Sequence, residues 1–254
     1  MMFSNAIVRK PCAEMIHGLS FASLGNPDYK LALDQHSRYV EVLRSCGLDV
    51  TVLEPDNRFP DSTFVEDVAL CTSGFAVITN PGAPSRNGEK FEMAKILRSF
   101  FTRIETIEPP GTLDAGDVMM TGSHFYIGLS ERTNMAGADQ LIRILEKQGK
   151  TGEKIRLKDM LHLKSGISYL EQEYLLAGSE LFQHPAFRDF KRIEVDPDES
   201  YATNSLWING TVLVPKGYPK TGGKIEQAGY RTITLDVSEF RKLDGGLSCL
   251  SLRF

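Results

Sequence analysis

The residue with the most chemical promise is Cys249, in the last stretch of the chain, DGGLSCLSLRF. A cysteine in a short apolar run is ordinarily a small buried hydrophobe. It becomes a nucleophile only where a histidine and an acid are delivered to it from elsewhere in the chain. Gly245 and Gly246 precede the strand-like run LSCLSL and let the backbone bend, so a strand end can present Cys249 to a cleft. Of the five histidines, His17 lies in an N-terminal loop, His36 on an amphipathic helix, His124 in a hairpin and His184 beside Pro185. His162, in LHLKSG, alone heads a repeated unit and is the candidate general acid and base.

Acids stand at the matching places of other units. They are Asp61, Glu66 and Asp67 in FPDSTFVED, and Asp114 and Asp117 in DAGD. Gathered carboxylates raise one another's pKa unless a cation compensates. The chain shows no metal-ligand spacing, so neither metal nor cofactor is expected, and the cation falls to the substrate. A guanidinium suits a ring of acids better than an ammonium, because its planar fork of N–H donors is received by carboxylates in pairs. Asp67 and Asp114 are the expected direct contacts. Arg86 in APSRNG and Arg132 in SERTN follow the second strand of their units and are placed to hold a carboxylate at the far end of the substrate. Each of these residues also has an ordinary reading, as a turn aspartate or a solvated surface arginine.

The elements that must position them repeat. Ala6 to Arg9 reads as a first strand, and Asn26 with Pro27 as the start of a helix that Gly47 stops; Leu48 to Leu53 alternates as a strand. Thereafter an acidic or polar head, an apolar strand, a tight turn, a second strand, a polar loop and usually a helix recur. The copies run Phe64 to Phe100, Leu113 to Gly149 with a helix capped by Asn134 and Gly149, Leu161 to Ser179, and Tyr201 to Pro219. Four copies mark a repeated supersecondary unit. A fifth is assembled from the N-terminal strand and helix plus the C-terminal strand that carries Cys249. Closure of this kind leaves no free sheet edge. The expected architecture is a single closed, propeller-like α/β domain over residues 1–254, with the heads meeting on its axis.

Composition narrows the function. A net charge of -4 and a pI near 5.8 argue against nucleic acid. The apolar part of the N-terminus is too short for a signal peptide and no stretch is long enough to span a bilayer. The four cysteines form no CxxC pair, so free thiols in a reducing cytoplasm are expected.

Taken together, FPDSTFVED, ITNPGAPSR, TLDAGDVMMTG, GLSERTN, LHLKSG and KLDGGLSC, in this order over nearly the whole chain, resemble the dimethylarginine dimethylaminohydrolases. This family lies within the guanidine-modifying group that includes arginine deiminases and amidinotransferases. The resemblance implies a five-module ββαβ propeller of the pentein type. It implies Cys249 as nucleophile, His162 as acid and base, Asp114 as their acidic partner, and Asp67 with Asp114 around the guanidinium, Glu66 beside them. Asp61, Arg86 and Arg132 match positions that hold the amino-acid end, and Leu19, on a lid-like loop, and Leu243 match positions that give backbone contacts. Some members carry glutamate where this chain has Asp114. Arginine deiminases typically carry His-x-Asp, whereas this chain has His162, Leu163, Lys164, which leaves room for N-methyl groups. The implied reaction is hydrolysis of dimethylarginine or monomethylarginine to citrulline and the free amine through a covalent thiouronium. The implied partner is that small molecule, with no nucleic acid, no membrane, and a homodimer as an allowed assembly. Arginine deiminase or amidinotransferase activity is the nearest alternative; a non-catalytic propeller that binds a cationic ligand is a more remote one.

Overall fold

A computed structural model describes residues 2–158 and 160–254. Strand β1 (Asn5–Arg9) pairs in parallel with β2 (Asp49–Leu53), and helix α1 (Tyr29–Ser45) makes the crossover between them. The next unit is β3 (Ala69–Cys71), β4 (Ala76–Ile78), α2 (Glu89–Leu97) and β5 (Ile104–Thr106). It is followed by β6 (Val118–Thr121), β7 (His124–Leu129), α3 (Met135–Glu146) and β8 (Thr151–Arg156). Then come β9 (Ile167–Tyr169), β10 (Tyr174–Ala177), α4 (Ser179–Phe182) and β11 (Lys191–Glu194). The series ends with β12 (Leu206–Ile208), β13 (Thr211–Pro215), α5 (Pro219–Gln227), β14 (Arg231–Leu235) and finally β15 (Leu252–Arg253).

Among the described residues these strands form five three-stranded sheets of one plan: the first strand antiparallel to the second, the second parallel to the third. The fifth sheet, β15-β1-β2, joins the two chain ends as expected, with Ala6 opposite Arg253 and Ile7 opposite Leu252. Tyr39 on α1 ties the tail further, its hydroxyl donating to the Leu247 carbonyl at 2.8 Å and lying 2.6 Å from Ser251 Oγ.

Two local expectations change. The cap of α1 is Asp28, whose carboxylate accepts from the Lys30 and Leu31 N–H groups, so Asn26 and Pro27 precede the helix. Gly47 does stop it, at φ +90. Asn134 caps α3 by accepting from Gly137 N, but that helix ends at Glu146 and Gly149 turns the chain beyond it. The larger correction concerns the tail. LSCLSL is not a strand, because Ser248–Leu250 is a 3-10 turn and only Leu252–Arg253 pairs. Side chains have claimed the backbone there: Ser248 N donates to Asn204 Oδ1 at 2.9 Å, and its carbonyl accepts from Arg253 Nη1 at 2.9 Å.

Candidate active site

Every head is such a 3-10 turn. Four lead directly into the first strand of their units: Val65–Val68, Ala115–Asp117, Leu163–Ser165 and Ser248–Leu250; Pro197–Thr203 precedes the fifth. Bonds from residue i+3 to i hold them, such as Asp117 N to the Asp114 carbonyl and Ser165 N to that of His162, both 3.0 Å. The heads touch in a ring. Asn204 closes it by donating to Ser248 Oγ at 3.0 Å.

Cys249 is presented at the middle of its turn, where Sγ accepts from Gly246 N at 3.3 Å. Burial pushes its thiol up to about 12, and the Glu66 and Asp67 carboxylates push in the same direction. His162 Nε2 faces Asp114 Oδ2 at 3.3 Å. Burial works against its charge, but Asp67, Asp117 and Asp114 outweigh burial and hold it up to about 9. Burial pushes Asp114 up as well, yet His162 and then Arg86 bring it below the usual carboxylate range. Asp114 Oδ1 accepts from Gly82 N at 2.8 Å, and Asp67 Oδ1 from Gly116 N at 3.2 Å. Gly116 has no alternative here, since a Cβ would stand 2.7 Å from Asp67 Oδ1 and 2.8 Å from His162 Nδ1.

Nine of the ten expected site residues line one small cavity of about 40 Å³: Cys249, His162, Asp114, Asp67, Asp61, Arg86, Arg132, Leu19 and Leu243. Leu19 sits on a partly exposed loop, its N–H donating to Asp61 Oδ1 at 3.0 Å. That loop is also tied at Ser20 Oγ to the Lys242 carbonyl and at Phe21 N to Asp244 Oδ2. Arg86 is buried and largely committed to the protein. It donates to both Glu89 oxygens, to Asp67 Oδ2 at 2.5 Å, and to the Asp61 and Phe64 carbonyls, which leaves one Nη1 proton.

Glu66, the tenth, bonds Ser248, the residue before Cys249. Its Oε1 pairs with Lys164 Nζ at 2.7 Å and Arg253 Nη2 at 2.9 Å, and Oε2 accepts from Ser248 Oγ at 2.7 Å. Burial pushes its carboxyl up, but Lys164 and Arg253 hold it below its usual range. Glu66 lines a second cavity, of about 480 Å³, which shares Cys249 and His162 with the first. Sequence reasoning missed Phe64, Leu161 and Asp244 on the walls, and the Asn204 that grips the Cys249 turn. Phe64, Leu161 and Asn204 did carry a signal, their places in the repeat heads FVED, LHLKSG and YATN.

One atom each from Asp67, Asp114 and His162 lies within 4.8 Å of the others, a spacing a metal ion could use. Yet Asp67 already accepts from Arg86, and a His162 held protonated would have to shed its proton to become a ligand. A planar cation that donates N–H groups fits the Asp67 and Asp114 carboxylates better.

Residues 26–150 match the family described as N,N dimethylarginine dimethylhydrolase, eukaryotic. The chain is 52% identical over 254 residues to the N(G),N(G)-dimethylarginine dimethylaminohydrolase of Pseudomonas aeruginosa, covering all of both chains. The structure of the C249S variant of the P. aeruginosa enzyme, complexed with citrulline, superposes with a TM-score of 0.99 at 51% identity over the whole of both chains. The N-terminal domain of the cyanobacterial arginine dihydrolase ArgZ shares the fold, with a TM-score of 0.87 at 20% identity over 98% of this chain and 96% of that one. This chain therefore belongs to the dimethylarginine dimethylaminohydrolase family.

Proposed function

We propose that this protein hydrolyses Nω-methylated arginines to citrulline and dimethylamine or methylamine. The observation that carries the reading is the meeting of a thiol, an imidazole and the buried carboxylates of Asp61, Asp67 and Asp114 in one small cavity. Asp67 and Asp114 orient the guanidinium and preserve its charge, which keeps its central carbon electrophilic. Asp61 takes the α-amino group, Arg132 the carboxylate with the remaining proton of Arg86, and the Leu19 and Leu243 backbones complete that end. A cavity of about 40 Å³ holds a few waters, so the Leu19 loop swings out to admit an amino acid.

The charges set the order of events. In the free protein the thiol is neutral and His162 is already protonated, so His162 cannot take the thiol proton. The incoming cation offsets Glu66 and Asp67, the thiol ionises, and its proton leaves to solvent. The thiolate bonds to the guanidinium carbon. As the carbon–nitrogen bond to the methylated nitrogen breaks, His162 gives that nitrogen a proton, leaving a thiouronium on Cys249. The amine departs through the larger cavity. Water then adds to the same carbon, His162 takes its proton, and the carbon–sulfur bond breaks to release citrulline.

Lys164 follows His162 by two, the position at which arginine deiminases typically carry an acid, and its ammonium pairs with Glu66. An acceptor there would be left unpaired by an N-methyl group, which has no proton to offer. Methylated arginine is therefore preferred to arginine. The test is citrulline release from asymmetric dimethylarginine, monomethylarginine and arginine under one set of conditions. Either methylated substrate is expected to give the higher kcat/KM; faster turnover of arginine would reverse the assignment. The working unit is a single domain over residues 1–254, compatible with a homodimer, in the reducing cytoplasm that its four free thiols suit. Among the described residues no helix is long and apolar enough to cross a membrane.

A further inference from the structure

Asp117 does not touch either active-site cavity, yet it is fully buried and it is the junction of three hydrogen-bonded arms. Its Oδ1 accepts from Leu163 N at 2.9 Å, directly after His162. Its Oδ2 accepts from Thr133 Oγ1 and Ser130 Oγ, both at 2.7 Å. Thr133 Oγ1 in turn accepts from Asp114 N at 3.2 Å, and Ser130 Oγ from Arg132 N at 3.0 Å and Thr133 N at 3.2 Å. Both hydroxyls thus spend their own protons on Asp117, which receives three donors and offers none. That is the pattern of an ionised carboxyl. Gly128 makes the room, since a Cβ there would stand 2.9 Å from Asp117 Oδ1.

We propose that Asp117 is a positioning residue that fixes His162, Asp114 and Arg132 relative to one another through these three arms. The arms end on the acid/base, on a guanidinium contact and on a carboxylate contact, so the assignment rests on the reading of the reaction given above. A carboxylate is required because it alone can accept on both sides. In the Asp117→Asn variant the amide N–H groups face either the Leu163 N–H, donor against donor, or the two hydroxyls, which then lose their acceptor, and Ser130 Oγ, already accepting from Arg132 N and Thr133 N, has no lone pair left for them. Asp117 also adds to the field that keeps His162 protonated. The other titratable groups on the walls of the two cavities that His162 lines are Asp61, Glu66, Asp67, Asp114, Asp244, Tyr201 and Cys249, with Arg86, Arg132, Lys164 and Arg241 as the cations.

Asp117→Asn tests this in the full-length protein, beside Ser130→Ala, Thr133→Val and Thr133→Ser, with thermal unfolding recorded for each. Asp117→Asn is expected to lower kcat/KM for asymmetric dimethylarginine by about 10- to 100-fold, the cost of small misplacements in a site of this kind. The single-arm variants should split. Ser130→Ala raises KM several-fold with kcat within about twofold, as it removes the acceptor of Arg132 N and Thr133 N while Thr133 Oγ1 still joins Asp117 to Asp114. Thr133→Val lowers kcat, and Thr133→Ser restores it. An imidazole NMR titration of the ligand-free protein should show His162 losing its proton at lower pH in Asp117→Asn. Should Asp117→Asn fail to fold, the single-arm split decides. Loss of kcat/KM in all variants in step with their melting temperatures, with no split, overturns the proposal, as does an unmoved His162 titration in a folded Asp117→Asn. Wild-type protein that releases no citrulline refutes the reaction instead, and the titration still decides the role of Asp117.

Discussion

At the scale of the residue, the account turns on a thiol held at about 12 beside an imidazole held at about 9. At neutral pH the ligand-free protein holds Cys249 overwhelmingly as the thiol. Iodoacetamide should therefore alkylate Cys249 slowly at neutral pH, faster by about tenfold per unit as pH rises. Asp67 is one of the charges that raise the thiol, so Asp67→Asn should speed alkylation at fixed pH by about tenfold, read by mass mapping of the Cys249 peptide. A slower or unchanged rate would contradict the charge argument. Asp114 and His162 were legible because each stands at the head of its repeat, and Cys249 because the tail that carries it is needed to close the fifth unit. The work of Glu66 was not, because its partner Arg253 is 187 residues away and only the closed ring brings them together.

At the scale of the element, the site is a ring of 3-10 turns that presents side chains inward just before each sheet begins. Apolar periodicity marks strands and helices, but a three-residue turn held by side chains from another repeat has no period to read. This is why LSCLSL resembled a strand. The turn that presents Cys249 depends on Gly246, where a Cβ would stand 2.5 Å from Asn204 Cγ. Gly246→Ala should push Asn204 from Ser248, cost about 1–3 kcal/mol by urea unfolding and lower kcat. Gly74→Ala, with open space around its Cβ position, serves as the control and should alter neither. Equal behaviour of the two variants would show that Asn204 does not secure the turn.

At the scale of the whole molecule, the repeat and its closure were readable because each unit spells the same strand, turn, strand and helix, and the leftover pieces lie at the two ends. A chain ending at Cys249 loses β15 and Arg253, which leaves Glu66 with one cation fewer. It should not reach the native fold, and full activity of that truncated chain would refute the closure argument. Glu66→Gln breaks the same buried group and should cost about 3 kcal/mol. The folded state also holds His162 at about 9 against an ordinary 6.5, so its stabilising contribution is complete below 6.5 and disappears as pH rises through 9. The melting temperature should fall across that interval, and His162→Ala should flatten the fall; an equal fall in the variant would place its origin elsewhere. The central claim is that Cys249 carries the substrate carbon during turnover. Rapid acid quench of the protein turning over asymmetric dimethylarginine, followed by peptide mass mapping, tests it most directly. The account predicts a thiouronium adduct on the Cys249 peptide that is absent from Cys249→Ser, which releases no citrulline. Citrulline release at the wild-type rate by Cys249→Ser, or an adduct on another residue, would contradict it.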